Sequence, residues 1–110
     1  MRVSEIVEKL GLTVLVDAAN LADEVHGGYV ADLLSCVIAG AQAGDLWITL
    51  QTHVNIIAVA SLKELAAIIV TEGAVVAAAT LEKAEQQGVV VLSSAEPTYE
   101  IVKRLIALGL

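Results

Sequence analysis

Short polar clusters follow three hydrophobic runs of the chain, and they hold the side chains best placed to do chemistry. The first cluster is Gln51 to His53, the second is Thr71 to Gly73, and the third is Ser93 and Ser94. In α/β proteins, polar groups between the end of a strand and the start of the next helix often bind anions and nucleotides, because the free N–H groups of helix N-termini favour negative charge. The candidate ligand-binding residues are Gln51, Thr52, His53, Thr71, Glu72, Gly73, Ser93 and Thr98.

The same residues have two other interpretations. Thr, Ser and Asn at helix starts accept hydrogen bonds from free backbone N–H groups, so capping alone accounts for these residue types. A hydrolytic Ser–His–acid set would need Ser93 or Ser94 to converge with His53 and Glu72, and the chain has no G-x-S-x-G segment. We therefore expect no catalytic residue and no enzymatic activity.

Metal and cofactor sites are not predicted. His26 and His53 are the only histidines, and neither has a Cys or an acidic residue at ligand spacing. The pair Gly27-Gly28 matches neither G-x-G-x-x-G nor a P-loop, and it suits a bend or a close backbone approach. Cys36 has apolar neighbours at helical spacing, which predicts a small core residue.

The elements that must position the polar clusters alternate along the chain. Apolar runs predict strands at 12–16, 45–50, 67–71 and 89–94. Helical spacing predicts helices at 2–11, 29–44, 55–66, 77–88 and 97–109, with Asn55 or Thr52 as the N-cap of the third. From residue 45 onward, strand and helix alternate three times, which predicts an α/β fold of βαβ units. Its sheet would be mostly parallel with helices on both faces, and the polar clusters would meet at its carboxyl edge.

Composition limits the partners. The 110 residues are predicted to form a single domain, 1–110. Hydrophobic residues make up 57% of the chain, above the ~45–50% of ordinary domains, which predicts a homodimer that covers apolar surface. The nearly all-apolar helix 55–66 and the uncharged run 73–81 support the homodimer, but the sequence does not identify the face that forms it. A net charge of −7 argues against nucleic acid or anionic membrane as partners.

Location is predicted from three features of the sequence. No segment has the ~20 apolar residues of a membrane-spanning helix. The N-terminal residues have no signal-peptide pattern. The single cysteine forms no intrachain disulfide. Together these features predict a cytoplasmic protein.

Several short motifs, in order along the chain, resemble the DRTGG domain family. ITLQTH (48–53) resembles the strand that ends in the family's Gly-Asp-Arg corner, and AAIIVTEG (66–73) resembles the strand that ends in Thr-Gly-Gly. PTYEIVKRL (97–105) resembles the start of the last helix, D-T-[FY]-E, and HGGYVADLLS (26–35) resembles the segment before the family's Gly-Asp-Leu entry, which is Gly44-Asp45-Leu46 here.

The matches to the family pattern are Thr71, Gly73, Thr98, Tyr99 and Glu100. Three places depart from it: Gln51-Thr52-His53 stands where the family has Gly-Asp-Arg, Glu72 replaces the middle Gly, and Pro97 replaces the Asp.

The resemblance implies a fold like the N-terminal domain of HPr kinase and, more remotely, that of Mur ligases. DRTGG domains occur beside CBS domains, in regulatory pyrophosphatases and with phosphotransacetylases, which implies regulation or dimerisation; a free-standing copy resembles small bacterial proteins. Two functions follow for this chain. It is a non-catalytic regulatory or scaffolding module that forms a homodimer and binds a partner protein; alternatively, it senses a small anion or nucleotide at the carboxyl edge of the sheet.

Overall fold

The chain folds around one five-stranded sheet with helices on both faces, and the computed structural model describes residues 1–110. The strands are β1 (Thr13–Val16), β2 (Gly27–Val30), β3 (Asp45–Thr49), β4 (Ala67–Val70) and β5 (Val91–Ser93). The helices are α1 (Val3–Leu10), α2 (Leu34–Gly40), α3 (Asn55–Leu62), α4 (Ala78–Gln87) and α5 (Thr98–Ala107). A 3₁₀ turn, Ala19–Ala22, lies between β1 and β2.

The strand order is β1-β5-β4-β3-β2. Strands β2 to β5 run parallel, and β1 pairs antiparallel with β5 at one side of the sheet. The predicted mostly parallel α/β sheet is therefore confirmed. Each step from β2 to β5 moves to the next strand in the same direction, so crossovers of one hand place α2, α3 and α4 on a single face. Helices α1 and α5 cover the opposite face.

Alternate side chains of the central strands enter two separate cores. Trp47 and Ile68 pack with α2, α3 and α4. Leu46 and Ile48 pack with α1 and α5. Every residue of β3 and β4 is buried, which is why these strands read as continuous apolar runs without alternation. Packing on both faces fixes the strands whose ends carry the polar clusters.

The segment before β3 differs from the prediction. Gly27-Gly28 lies within β2, paired with β3, so of its two predicted roles it forms a close approach and not a bend; a Cβ at Gly27 would meet Asp45 Oδ1 at 3.3 Å. The helix predicted from Tyr29 begins only at Leu34 and ends at Gly40. The apolar spacing fits a helix, but pairing with β3 decides the structure. The indole N–H of Trp47 donates to the carbonyl of Ala31 at 2.7 Å and fixes the chain as it leaves the sheet.

Helix α3 is buried within its own chain. Ile56, Ile57, Val59 and Ala60 are buried beneath the neighbouring helices and the sheet. The apolar composition of this helix is therefore explained largely by burial within one subunit, whereas Leu62 at its end is exposed, and contact of this helix with a second copy stays a prediction. It ends at Leu62, four residues before the predicted end.

Two local predictions are also wrong. Helix α3 has Val54 as its N-cap residue, and neither Asn55 nor Thr52 caps it. Cys36 is exposed because α2 is short and buries only Val37.

Candidate functional site

The carboxyl edge of the sheet brings the predicted polar clusters together. The backbone N–H of Thr71 donates to the carbonyl of Thr49, which joins the ends of β4 and β3 at 3.2 Å. The N–H of Gly73 donates to the carbonyl of Ser94, which joins the loops after β4 and β5 at 3.0 Å. The predicted convergence of the strand ends is confirmed. Ligand binding by these residues stays a prediction.

The β4 corner is tied to the start of α5 by side chains. Thr71 is fully buried, and its hydroxyl lies 2.6 Å from the hydroxyl of Thr98. The carboxylate of Glu72 accepts a hydrogen bond from the backbone N–H of Thr98 at 2.7 Å. That N–H is one of the free donors at the helix start, so Glu72 caps α5 from a separate loop. Thr71 and Glu72 of the predicted site are therefore both hydrogen-bonded to Thr98, and Gly73 lies in the same loop.

The corner also explains why glycine suits two consecutive positions here. Glu72 has φ of 63° and Gly73 has φ of 66°, so both lie in the left-handed region. Glycine adopts this region without steric cost, whereas a residue with a Cβ adopts it only at a steric cost. Glu72 is one of two non-glycine residues of the chain with positive φ; Glu64 is the other, with φ of 53°.

The end of β3 is held by a residue that the sequence analysis missed. One carboxylate oxygen of Asp32 accepts hydrogen bonds from the hydroxyl of Thr49 at 2.9 Å and from the N–H of Leu50 at 2.8 Å. Asp32 follows β2 as the other polar residues follow their strands. Recognition of Gly27–Val30 as a strand would have revealed it; the predicted helix from Tyr29 concealed it.

The remaining predicted residues contact little of the chain through their side chains. Thr52 accepts a hydrogen bond at its carbonyl from the buried hydroxyl of Thr80 at 2.7 Å. The exposed ring of His53 accepts one from the N–H of Asn55 at 3.2 Å. The side chains of Gln51, Thr52 and Ser93 make no hydrogen bond within the chain.

The Ser–His–acid set does not assemble. His53 and Glu72 are each engaged with backbone N–H groups of different helices. No hydrogen bond links either of them to Ser93 or Ser94, and the hydroxyl of Ser94 accepts from the N–H of Glu96 at 3.1 Å. The arrangement has no side-chain pair in which a base activates a nucleophile.

A histidine–carboxylate pair lies at the other end of the strands, where β3 begins. The ring of His26 contacts Asp45 at 3.1 Å, and the second carboxylate oxygen of Asp45 accepts from the N–H of Gln42 at 2.8 Å. This pair holds the entry to β3. No three His, Cys, Asp or Glu side chains come together as a metal site requires. No helix is long and apolar enough to cross a membrane.

The family model of the DRTGG domain matches residues 5–108. The chain belongs to the DRTGG domain family. No curated protein sequence matches the chain. Among solved structures, it is similar to the CBS and DRTGG domains of the regulatory region of Clostridium perfringens pyrophosphatase, complexed with the activator diadenosine tetraphosphate. The TM-score is 0.78 at 18% identity, over 99% of this chain and 47% of that one, so this chain spans about half of that structure.

This DRTGG domain departs from the family motifs at two places that touch each other. The family's Asp stands at the position of Pro97, the N-cap residue of α5, where Asp is a preferred cap. Proline supplies no carboxylate, and Glu72 supplies one instead from the position of the middle Gly. The two departures from the family pattern therefore meet at one helix start, where Glu72 of the neighbouring loop carries the capping carboxylate.

Proposed function

We propose that this DRTGG domain is a non-catalytic regulatory or scaffolding module that forms a homodimer and binds a partner protein in the cytoplasm. Family membership supports a regulatory role, since the similar solved structure comes from a regulatory region. The observation that carries the proposal is the contrast between two surfaces. At the carboxyl edge, the end of β3 and the β4 corner are held by the chain's own hydrogen bonds, whereas several large apolar side chains elsewhere are exposed.

The total accessible surface area of the chain is close to the value expected for its mass. A monomer of 11.4 kDa is expected to expose about 5,800 Å², and this chain exposes 5496 Å². The chain therefore exposes about as much surface as an ordinary monomer of its mass, although its composition is unusually apolar. Tyr99, Val75 and Leu62 are 81%, 86% and 68% exposed, so part of the apolar content lies at the surface, where a protein–protein contact would cover it.

Light scattering coupled to gel filtration tests the homodimer. At micromolar concentration the proposal predicts twice the 11.4 kDa mass of one chain. A standard interface of about 800 Å² per subunit would be about one seventh of the surface of one chain. A mass of one chain across the micromolar range would refute dimerisation and leave only the regulatory role to be tested with a partner.

A second function, sensing of a small anion or nucleotide at the carboxyl edge, is supported by the uncommitted side chains of Gln51, Thr52 and Ser93 beside the exposed ring of His53. Glu72 and the net charge of −7 oppose anion binding there.

A thermal-shift titration tests the sensor. Mononucleotides, inorganic phosphate and diadenosine tetraphosphate are suitable probes. A true ligand raises the stability by about 2.7 kcal/mol at a hundred times its Kd. The combined substitution of Thr52→Ala and His53→Ala should abolish that shift. A flat melting temperature with all probes would refute the sensor without affecting the homodimer.

A further inference from the structure

Strand β2 forms one edge of the sheet, and the backbone groups on its outer side are free. The N–H of Ala31, directly after β2, donates to the carbonyl of Ile48 in β3 at 3.3 Å. Alternate residues of a strand direct their backbone groups to the same side, so Gly28 and Val30 direct theirs away from β3. Both residues are exposed. The strand has neither a proline nor a charged side chain, which are the features that discourage pairing at an edge.

Two cavities of opposite chemistry flank this strand, one on each face of the sheet, and Gly27 and Gly28 line both of them. On the α5 face is an apolar groove of about 190 Å³, which is lined by Ile48 of β3 and Val102 of α5 and by no charged residue. On the α2 face is a polar cavity of about 260 Å³, which is lined by glycines, Tyr29 and three polar side chains. The edge strand therefore separates an apolar space from a polar one.

The polar cavity offers hydrogen-bond acceptors and no cation. The carboxylate of Asp45 can only accept, so Nδ1 of His26 at 3.1 Å carries a proton and Nε2 of the neutral ring is an acceptor. This ring is 61% exposed. Its Nε2, the hydroxyl of Tyr29 and the side-chain amide of Gln42 have no hydrogen-bond partner within the chain. No Lys or Arg lines the cavity.

The edge and its two cavities together select the occupant. A strand that pairs with β2 places successive side chains on opposite faces of the sheet. The residue over the apolar groove should be apolar. Its neighbour in the polar cavity should be Lys or Arg, because a cation donates to the free acceptors and lies near the Asp45 carboxylate. The net charge of −7 also favours a basic partner. An edge strand of a second copy cannot supply this pattern, since neither Gly27–Val30 nor Thr13–Val16 contains Lys or Arg.

We propose that an extended segment of a partner protein pairs with the outer edge of β2, with an apolar side chain in the apolar groove and an adjacent Lys or Arg in the polar cavity. Backbone hydrogen bonds to Gly28 and Val30 hold the segment, and the two cavities specify its alternation. The inference rests on the proposed binding of a partner protein and adds the surface and the sequence pattern that the partner presents.

Peptide titrations followed by NMR test this surface on the whole chain. The probe is an acetylated and amidated hexapeptide of alternating leucine and lysine, at about pH 8, where an ordinary histidine is neutral. It should shift the backbone amides of Gly28 and Val30 and the ring of His26. The ring of His53 lies beyond the other end of β3 and should not shift, which makes it an internal control.

Three control peptides separate the possible occupants. A block of three leucines and three lysines keeps the charge and loses the alternation. Alternating leucine and glutamate reverses the charge. N-methylation of every second peptide bond of the probe removes the backbone donors that face β2. Each control should bind about tenfold more weakly or worse, because each lacks one of the interactions. Equal binding of the block peptide would indicate attraction by charge alone, and equal binding of the acidic or the N-methylated peptide would exclude the cation or the strand pairing. Each of these results would overturn the proposal.

Two substitutions test the same surface from the side of the protein. Gly28→Val places a side chain in the apolar groove; a Cβ there meets Ile48 Cδ1 at 3.5 Å, an ordinary contact, so the fold should be kept. Val30→Pro removes an outward N–H, and proline is tolerated on an edge strand. The Kd of the alternating peptide should rise more than about tenfold in the first variant and about fivefold in the second. Val75→Ala is the matched control, since Val75 is 86% exposed and lines neither cavity.

Absence of any shift at millimolar peptide, or equal binding by all three variants, would overturn this surface. Shifts at Gly28 and Val30 that depend on protein concentration without peptide would place a second copy on β2 and would also overturn it. Neither result alters the mass measured by light scattering, so the homodimer is judged separately. A chain that binds the peptide here and has the mass of a monomer would refute the homodimer only.

Discussion

Replacement of Glu72 by glycine should leave the stability of this DRTGG domain nearly unchanged, because two effects of similar size oppose each other. Glu72 has φ of 63°, and a left-handed conformation costs a non-glycine residue roughly 1–2 kcal/mol. Glycine removes that cost, but its greater freedom in the unfolded chain offsets about 0.4–1 kcal/mol of the gain in stability. The lost cap on the N–H of Thr98 costs about 1 kcal/mol more, so the net change in the free energy of unfolding is near zero.

Glu64 is the matched control because it differs in one respect. It has φ of 53°, but its side chain makes no hydrogen bond within the chain. Glu64→Gly should therefore keep the gain from relieved strain, about 0.5–1 kcal/mol. The difference between the two variants isolates the cap. Thermal denaturation at one fixed protein concentration resolves it, since about 1 kcal/mol shifts Tm by roughly 4–8 °C in a domain near this size.

A double-mutant cycle with Pro97→Asp tests whether the two departures from the family pattern are coupled. In the wild-type background, Pro97→Asp adds a second carboxylate beside Glu72 and removes a rigid proline, so it should destabilise. In the Glu72→Gly background the new Asp becomes the sole cap and should stabilise. We expect a coupling energy of about 1–2 kcal/mol. Equal stabilisation by Glu64→Gly and Glu72→Gly, with an additive cycle, would show that the Glu72 carboxylate does not cap α5.

Three further substitutions test contacts elsewhere. Arg104→Ala should lower the stability by about 1–2 kcal/mol in urea denaturation, because the guanidinium donates to the last two carbonyls of α1 and to a carboxylate, and Arg104→Lys should restore little of it. Thr80→Val should cost about 1–2 kcal/mol, because the carbonyl of Thr52 loses its buried donor, while Thr80→Ser should cost less. The hydrogen bond from the backbone N–H of Arg2 lowers the pKa of Glu5 below its ordinary 4.5. The ionised carboxylate of Glu5 therefore stabilises the fold above its ordinary pKa, and this stabilisation is lost as the pH falls through its lowered pKa. Glu5→Gln should lower the stability at pH 7 and match the wild type in acid.

The parts of the fold that the sequence predicted share one physical cause. Strands β3, β4 and β5 are apolar at consecutive positions because helices cover both of their faces, and no helical period competes with that pattern. Strand β2 was missed because half of it is glycine, and because Val30 and Val37 also fit a helical stripe. Its place in the sheet depends on pairing with β3, which no local pattern encodes.

The candidate site shows the same division. The ends of β3 and β4 could be placed at one edge from the alternation of elements alone. The contact of Glu72 with Thr98 could not be predicted, because it depends on the left-handed turn that carries the carboxylate over the start of α5. Sequence spacing identifies which strand ends meet, whereas loop conformation decides whether their side chains bind one another or remain free.

The two proposed functions predict different effects of a substitution at Glu72. The start of α5 is the position at which a helix N-terminus would favour an anion, and Glu72 already places a carboxylate there. If the edge senses an anionic ligand at this point, Glu72→Gly removes a like charge worth about 1 kcal/mol in water and should tighten binding about fivefold. If the domain is a dimeric module, the same variant should keep the dimer mass and gain no affinity for phosphate or nucleotide. Binding by the variant but not by the wild type would show that Glu72 excludes the ligand, and the edge would then be a site that this chain has closed.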